Sequence, residues 1–196
     1  WIVPIAIGDS HRGYRVVGTS TEYFEKFKYR RNIPLRFVEG KKFSDLFDTV
    51  LGAEVARSLN YKIGDKIILA HGTGPISIGQ DHGDTPFQIS GILEHTGTPV
   101  DRAVPVSMEA IEAIHVGWET GAFNDQGEKN SPENLRKMDL SPKEVTAMYV
   151  GLKTKMSTFS LQRWINTYLH ESITAILPGV VFGQLWSMIG SVEKTL

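Results

Sequence analysis

The chain has 196 residues, 41% of them hydrophobic and 22% charged, enough to bury the core of one or two soluble domains. Its 21 basic and 22 acidic residues leave a net charge of -1, so no bulk field recruits nucleic acid or an anionic membrane. The lack of cysteine excludes disulfides, thiol catalysis and thiolate metal sites, but leaves the compartment open.

Trp1 stands where a translated chain carries Met, which marks a processed chain or a piece of a longer protein. No window approaches the roughly 18–20 consecutive apolar residues that span a bilayer. Residues 1–8, W-I-V-P-I-A-I-G, read as an extended lead-in, and Tyr14–Gly18 as a short strand. Thr19–Thr21 offer an N-cap, Glu22 sits just inside, and Tyr23, Phe24 and Phe27 give a brief helix an aromatic face best read as core packing. Leu35–Val38 continues as a strand, turned by Glu39–Lys42, so a strand, helix, strand unit fills about the first 40 residues.

Val50–Leu69 comes next. Ala53, Ala56 and Leu59 recur at helical spacing, Asn60 is a stop, and Gly64-Asp65 turns the chain into a strand at Lys66–Leu69. The stretch from His71 to Pro86 holds four glycines and reads as a long loop or irregular hairpin. Phe87–Leu93 alternates as a strand with one face buried, and Val104–Val106 is a further extended piece. Ser107 is the N-cap of a helix that runs to about His115, with Met108, Ile111 and Ile114 on one face.

From Gly117 to Glu144 the composition turns polar and rich in turn formers, as expected of a surface excursion. Strand pattern resumes over Val145–Lys153. Ser157 or Thr158 then caps a helix striped by Leu161, Trp164, Ile165, Tyr168 and Leu169, and Ile173–Leu177 reads as a strand ended by Pro178-Gly179. This second strand, helix, strand unit echoes the first. Packed together, the two units predict an open sheet with helices on one face, ferredoxin-like in type, split by about 100 intervening residues. Phe182, Leu185, Ile189, Val192 and Leu196 then fall at heptad spacing, giving one narrow apolar seam: either an ordinary docked helix or the start of a stalk.

Candidate chemistry is sparse. His71, Asp81, His82, Asp84 and His95 supply the imidazole and carboxylate donors that suit zinc, which makes a metal-binding or metal-dependent soluble protein the alternative reading. Their spacing matches no short metal motif, and loop histidines and aspartates beside glycines serve equally as turn formers. His170-Glu171 fails the H-E-x-x-H pattern because Thr174 occupies the second histidine's place. No G-x-S-x-G elbow occurs, and Gly72-Thr73-Gly74 lacks both the Lys-Ser/Thr ending and the following helix of a phosphate loop. The residues give no positive sign of catalysis, and call for no cofactor.

One ordered series is more telling: T-S-T-E-Y-F-E-K-F (Thr19–Phe27), L-R-F-V-E-G-K-K-F (Leu35–Phe43), V-L-G-A-E-V-A-R-S-L (Val50–Leu59), G-D-K-I-I-L (Gly64–Leu69) and F-Q-I-S-G-I-L (Phe87–Leu93). It resembles the extracytoplasmic core domain of MacB-like and FtsX-like ABC transporter permeases over about residues 14–116, extended to about 178 by the second unit. The resemblance implies an α+β fold in which residues 1–47 and 143–181 form a discontinuous porter-like domain. Residues 48–116 would be an inserted strand-rich, sabre-like subdomain, 117–142 a polar excursion, and 182–196 the start of a stalk helix toward a membrane span. It further implies a non-catalytic domain on the periplasmic side of the bacterial cytoplasmic membrane, between the first and second membrane helices. The expected partners are a cytoplasmic ABC ATPase, a second permease subunit, and a periplasmic adaptor or substrate protein. The loop 71–86 and the excursion 117–144 depart from the commoner members.

Overall fold

Alternation along short strands builds two cores on opposite faces of one sheet. A computed structural model describes residues 1–71, 85–116 and 131–193 and divides the chain into two compact units, Ile2–Val150 and Trp1 with Gly151–Leu196. In the first unit the strands are β1 (Ile2–Ala6), β2 (Asp9–His11), β3 (Tyr14–Thr19), the hairpin β4 (Lys28–Tyr29) and β5 (Ile33–Pro34), β6 (Phe37–Gly40), β7 (Asp48–Leu51), β8 (Lys66–Ile67), β9 (Ala70–His71), β10 (Phe87–Leu93), β11 (Ala103–Ser107) and β12 (Ala147–Val150). Among the described residues the main sheet runs β12-β1-β3-β11-β7-β10-β6; β2 pairs with β3 and β9, and β8 with β10. The β3–β11 and β7–β10 ladders are parallel and the rest antiparallel, so the fold is α+β on a large mixed sheet.

Neighbouring residues on a strand point to opposite faces. Val16 and Leu51 enter one core with Phe87, Ile89, Val104 and Val106, while Val17 and Val50 enter the other with Val3 and Ile5. Helices cover both faces. On the first lie α2 (Ala53–Leu59), which contributes Val55 and Ala56, and α3 (Met108–His115), which contributes Ala110, Ala113 and Ile114. On the second lies α1 (Glu22–Lys26), whose Tyr23 and Phe24 pack with Leu35 and Phe43. A one-faced arrangement was the expectation. It fails because β3 and β7 are apolar at consecutive positions, which leaves both faces needing cover.

β10 shows the same point. Strict alternation puts Phe87, Ile89, Gly91 and Leu93 on one face, yet a register shift against β7 between Ile89 and Gly91 turns Ile92 toward the first core and Leu93 into the second. β11 lies between β3 and β7, so the segments 1–47 and 48–116 share one continuous sheet.

Local signals hold well at the helix ends. Asn60 closes α2 in the left-handed region at φ 55°, and the Ser107 hydroxyl accepts the Ala110 N–H at 3.0 Å at the start of α3. Thr21 is the cap of α1, but its hydroxyl makes no capping bond.

The excursion needs correcting in its second half. Residues 117–130 lie outside the described residues, but α4 (Pro132–Leu135) buries Leu135, which is 1% exposed, and Leu140 follows it into the first core. Arg136 fixes the segment, donating to both Asp45 carboxylate oxygens at 2.8 and 3.1 Å with its guanidinium over the Phe47 ring. Two leucines anchor a stretch whose composition is otherwise polar.

The second unit holds α5 (Thr158–Asn166) and α6 (Pro178–Glu193). The expected strand Ile173–Leu177 forms no ladder among the described residues. Side chains of α5 meet its backbone instead: Asn166 Oδ1 accepts the Ala175 N–H at 2.7 Å and Gln162 Nε2 donates to the Ala175 carbonyl at 3.2 Å. Tyr168 and Leu169 lie past the end of α5, and Leu161 and Ile165 are half-buried on it.

Where β7 meets α2 the backbones approach closely. A Cβ on Gly52 falls on the carbonyls of Val100 and Asp101, and the Gly52 N–H donates to the Ala103 carbonyl at 2.9 Å. Gly52→Ala is expected to cost about 1–3 kcal/mol, because the obstruction is backbone and cannot rotate away. A thermal melt unchanged from that of the parent chain would contradict the packing described.

Candidate functional site

The residues singled out as metal candidates do not converge. Asp81, His82 and Asp84 lie outside the described residues. His71 closes β9, its backbone paired with Asp9, and nothing is described of its side chain. His95 is exposed, and its Nδ1 stands 2.8 Å from Asp101 Oδ2. Among the described residues no three His, Asp or Glu side chains gather as a metal site would require.

The buried polar groups are structural pins. His11, 5% exposed, pairs its Nδ1 with the Ile68 carbonyl at 2.7 Å and its Nε2 with the Tyr61 hydroxyl at 2.9 Å. Burial lowers its pKa, the Ile68 bond works against this, and the Arg12 charge adds to the lowering, so the ring stays neutral at pH 7. Asp101, 3% exposed, accepts the Thr96 and Gly97 N–H groups at 2.8 Å each and the Thr96 hydroxyl at 2.9 Å. It ties the loop between β10 and β11 into a closed knot.

That loop forms one wall of an open groove of about 490 Å³, within the usual range for small-ligand sites. β1 and β3 supply its floor through Ile5 and Val17, α1 supplies Tyr23 and Phe27, the loop supplies Val100, and Tyr149 of β12 closes the other side. Tyr23 is 6% exposed, and its hydroxyl makes no hydrogen bond among the described residues. Burial, with the neighbouring Tyr149 phenol, raises its pKa, so it remains a neutral donor.

Two arginines stand at the rim. Arg15 lies on the same face of β3 as Val17, is exposed, and makes no hydrogen bond or ion pair among the described residues. Arg102 pairs with Glu54 and stacks over Tyr14, with 5.0 Å from its guanidinium carbon to the ring centre. Sequence reasoning placed Tyr23 correctly in the core but missed the groove. Its lining comes from positions as far apart as 5 and 149, and no local pattern announces such a set.

α6 carries the expected seam residues Phe182, Leu185 and Ile189, all exposed, with Val181, Trp186 and Met188 exposed beside them. The Val192 side chain and Leu196 lie outside the described residues. Among the described residues no helix is long and apolar enough to cross a membrane.

No protein-family model matches the chain, and no curated protein matches it. Solved structures are similar to it, among them two domains. One is the extracellular domain of the noncanonic ABC-type transporter YknZ from Gram-positive bacteria, 12% identical, covering 82% of this chain and 69% of that one at a TM-score of 0.45. The other is a domain ascribed to a permease protein of Porphyromonas gingivalis, 9% identical, covering 84% of this chain and 60% of that one at a TM-score of 0.42. This chain therefore spans less than two thirds of the second structure, and at these values the likeness transfers no residue, ligand or partner.

Proposed function

We propose that the chain is a non-catalytic, extracytoplasmic domain of an ABC transporter permease, relaying ATP-driven motion and contacting a substrate or partner outside the cytoplasmic membrane. The observation that carries this is the closure of the two chain passages on each other. β1 and β12 form an antiparallel ladder with Ile2 opposite Val150, and Trp1 and Gly151 exchange backbone hydrogen bonds at 3.0 and 3.2 Å. A domain that enters and leaves on adjacent strands can sit between consecutive membrane helices without disturbing either.

Two further features support the reading. The series from Thr19 to Leu93 that resembles such permeases falls on α1, β6, β7, α2, β8 and β10, the elements that build the sheet and its cover. α6 leaves Val181, Phe182, Leu185, Trp186, Met188 and Ile189 exposed, a broad apolar face that suits a lipid or protein environment better than water. On this reading 1–47 and 143–181 would be the porter-like part, 48–116 the insert, and 182–196 the foot of a stalk. The partners would be a cytoplasmic ABC ATPase, a second permease subunit, and an adaptor or substrate protein. The metal-dependent alternative has no observation in its favour.

The lack of cysteine makes the topology directly testable. Lys62 is exposed between α2 and β8, so Lys62→Cys in the complete natural protein, with any cysteine outside these residues replaced, should react with a membrane-impermeant maleimide in intact cells. Labelling that appears only after lysis would place the domain on the wrong side and end the reading.

A further inference from the structure

The geometry points to the groove between α1, the β10–β11 loop and the β12-β1-β3 edge as a binding site for a single-chain anionic amphiphile, an alkyl tail carrying a carboxylate or phosphate head. The floor is apolar: Ile5 is 7% exposed, Val17 is half-buried on the same sheet, and Val100 of the loop wall is 6% exposed. Such a floor offers a tail what water does not, and nothing in it bonds a sugar or peptide backbone.

The charged residues that line it are both arginines. Arg15 carries a full positive charge with no partner among the described residues, and Arg102 adds a second whose Glu54 contact lies at the rim. The Arg15 guanidinium fork, unpaired among the described residues, selects carboxylate or phosphate over a neutral or cationic head, with Arg102, already paired to Glu54, adding further donors. Tyr23, 6% exposed as a residue, lines the groove, and its hydroxyl, unbonded among the described residues, is an uncharged donor that a head group can engage. None of these features depends on the transporter reading, so the site stands or falls by itself.

Calorimetric titration of the 196-residue chain below the micellar range tests it. Laurate and lauroyl lysophosphatidylglycerol are the two anionic probes, and dodecyltrimethylammonium and butyrate are the controls for head charge and tail. Saturable binding of at least one anionic probe is expected, with the cationic probe weaker by about tenfold or more and butyrate silent. Laurate alone would identify free fatty acids as the source, the lysolipid alone a membrane lipid, and either result supports the site.

Arg15→Gln is expected to weaken anionic binding by about tenfold, and Ile7→Glu, at the exposed lip of the groove, to abolish it. Both positions are exposed, so the melting temperature should hold. Binding of neither anionic probe, equal binding of the cationic one, or an affinity untouched by both substitutions overturns the proposal.

Discussion

Leu135→Ala is expected to lower the free energy of unfolding by about 2–5 kcal/mol, the range for removing a fully enclosed leucine side chain. Leu135 is 1% exposed and packs into the core built from Phe47, Leu51, Val55 and Phe87, although it follows a polar stretch of sequence. Met138, three residues on and 46% exposed, is the control, and Met138→Ala should stay within about 0.5 kcal/mol of the parent. Denaturant unfolding of both variants separates the readings, since an excursion lying loosely on the surface makes the two substitutions equally mild. Arg136 is not the main source of the anchoring energy. Its pair with Asp45 is 43% and 47% exposed, and exposed pairs are worth about 0–1 kcal/mol. The fork orients the segment, and Leu135 and Leu140 hold it.

What was legible in the sequence was local. Ser107 three residues before Ala110, Asn60 after a helical run, and the alternation of Phe87–Leu93 each carry their mechanism within a few residues, and each element formed where expected. What was not legible depends on distant partners. Ile173–Leu177 has strand composition, but a strand exists only where a neighbour offers a ladder, and α5 satisfied this backbone with Gln162 and Asn166 instead. The bulge in β10 answers to β7 across the ladder, not to residues beside it. The groove is the extreme case, since Ile5, Tyr23, Val100 and Tyr149 meet only after the sheet has closed.

The sheet order also bears on how a relay would work. The five-residue parallel ladder between β3 and β11 joins the β12-β1 edge to the strands that carry α2 and α3. Hydrogen-bonded strands buried on both faces resist shear, and Gly52 locks the β7–α2 corner against the loop before β11. A displacement applied at β1 and β12 is therefore carried through the sheet with little lost to internal bending. The same rigidity keeps the groove preformed, because its floor is the sheet itself.

Its wall depends on Asp101, and Asp101→Ala is expected to destabilise the fold by about 3 kcal/mol or more. The substitution strands buried N–H donors on Thr96 and Gly97, each costing about 1–3 kcal/mol. Asp101→Asn keeps the shape but replaces one acceptor oxygen with a donor, so it should lose roughly half as much. Burial alone would push this carboxyl up. The bonds from the Thr96 N–H and hydroxyl and the Gly97 N–H, helped by His95, outweigh burial and hold the pKa below its ordinary value. A carboxylate with a lowered folded pKa binds fewer protons than its unfolded counterpart. Its stabilisation is therefore complete above the unfolded value of about 3.9 and is lost as pH falls through the folded pKa. The stability gap between the parent chain and Asp101→Asn should accordingly be widest above about pH 5 and narrow steadily in acid. Urea unfolding of the two chains from pH 7 down to pH 3 measures it, and a gap that stays constant over that span would mean the carboxylate charge does not hold this loop.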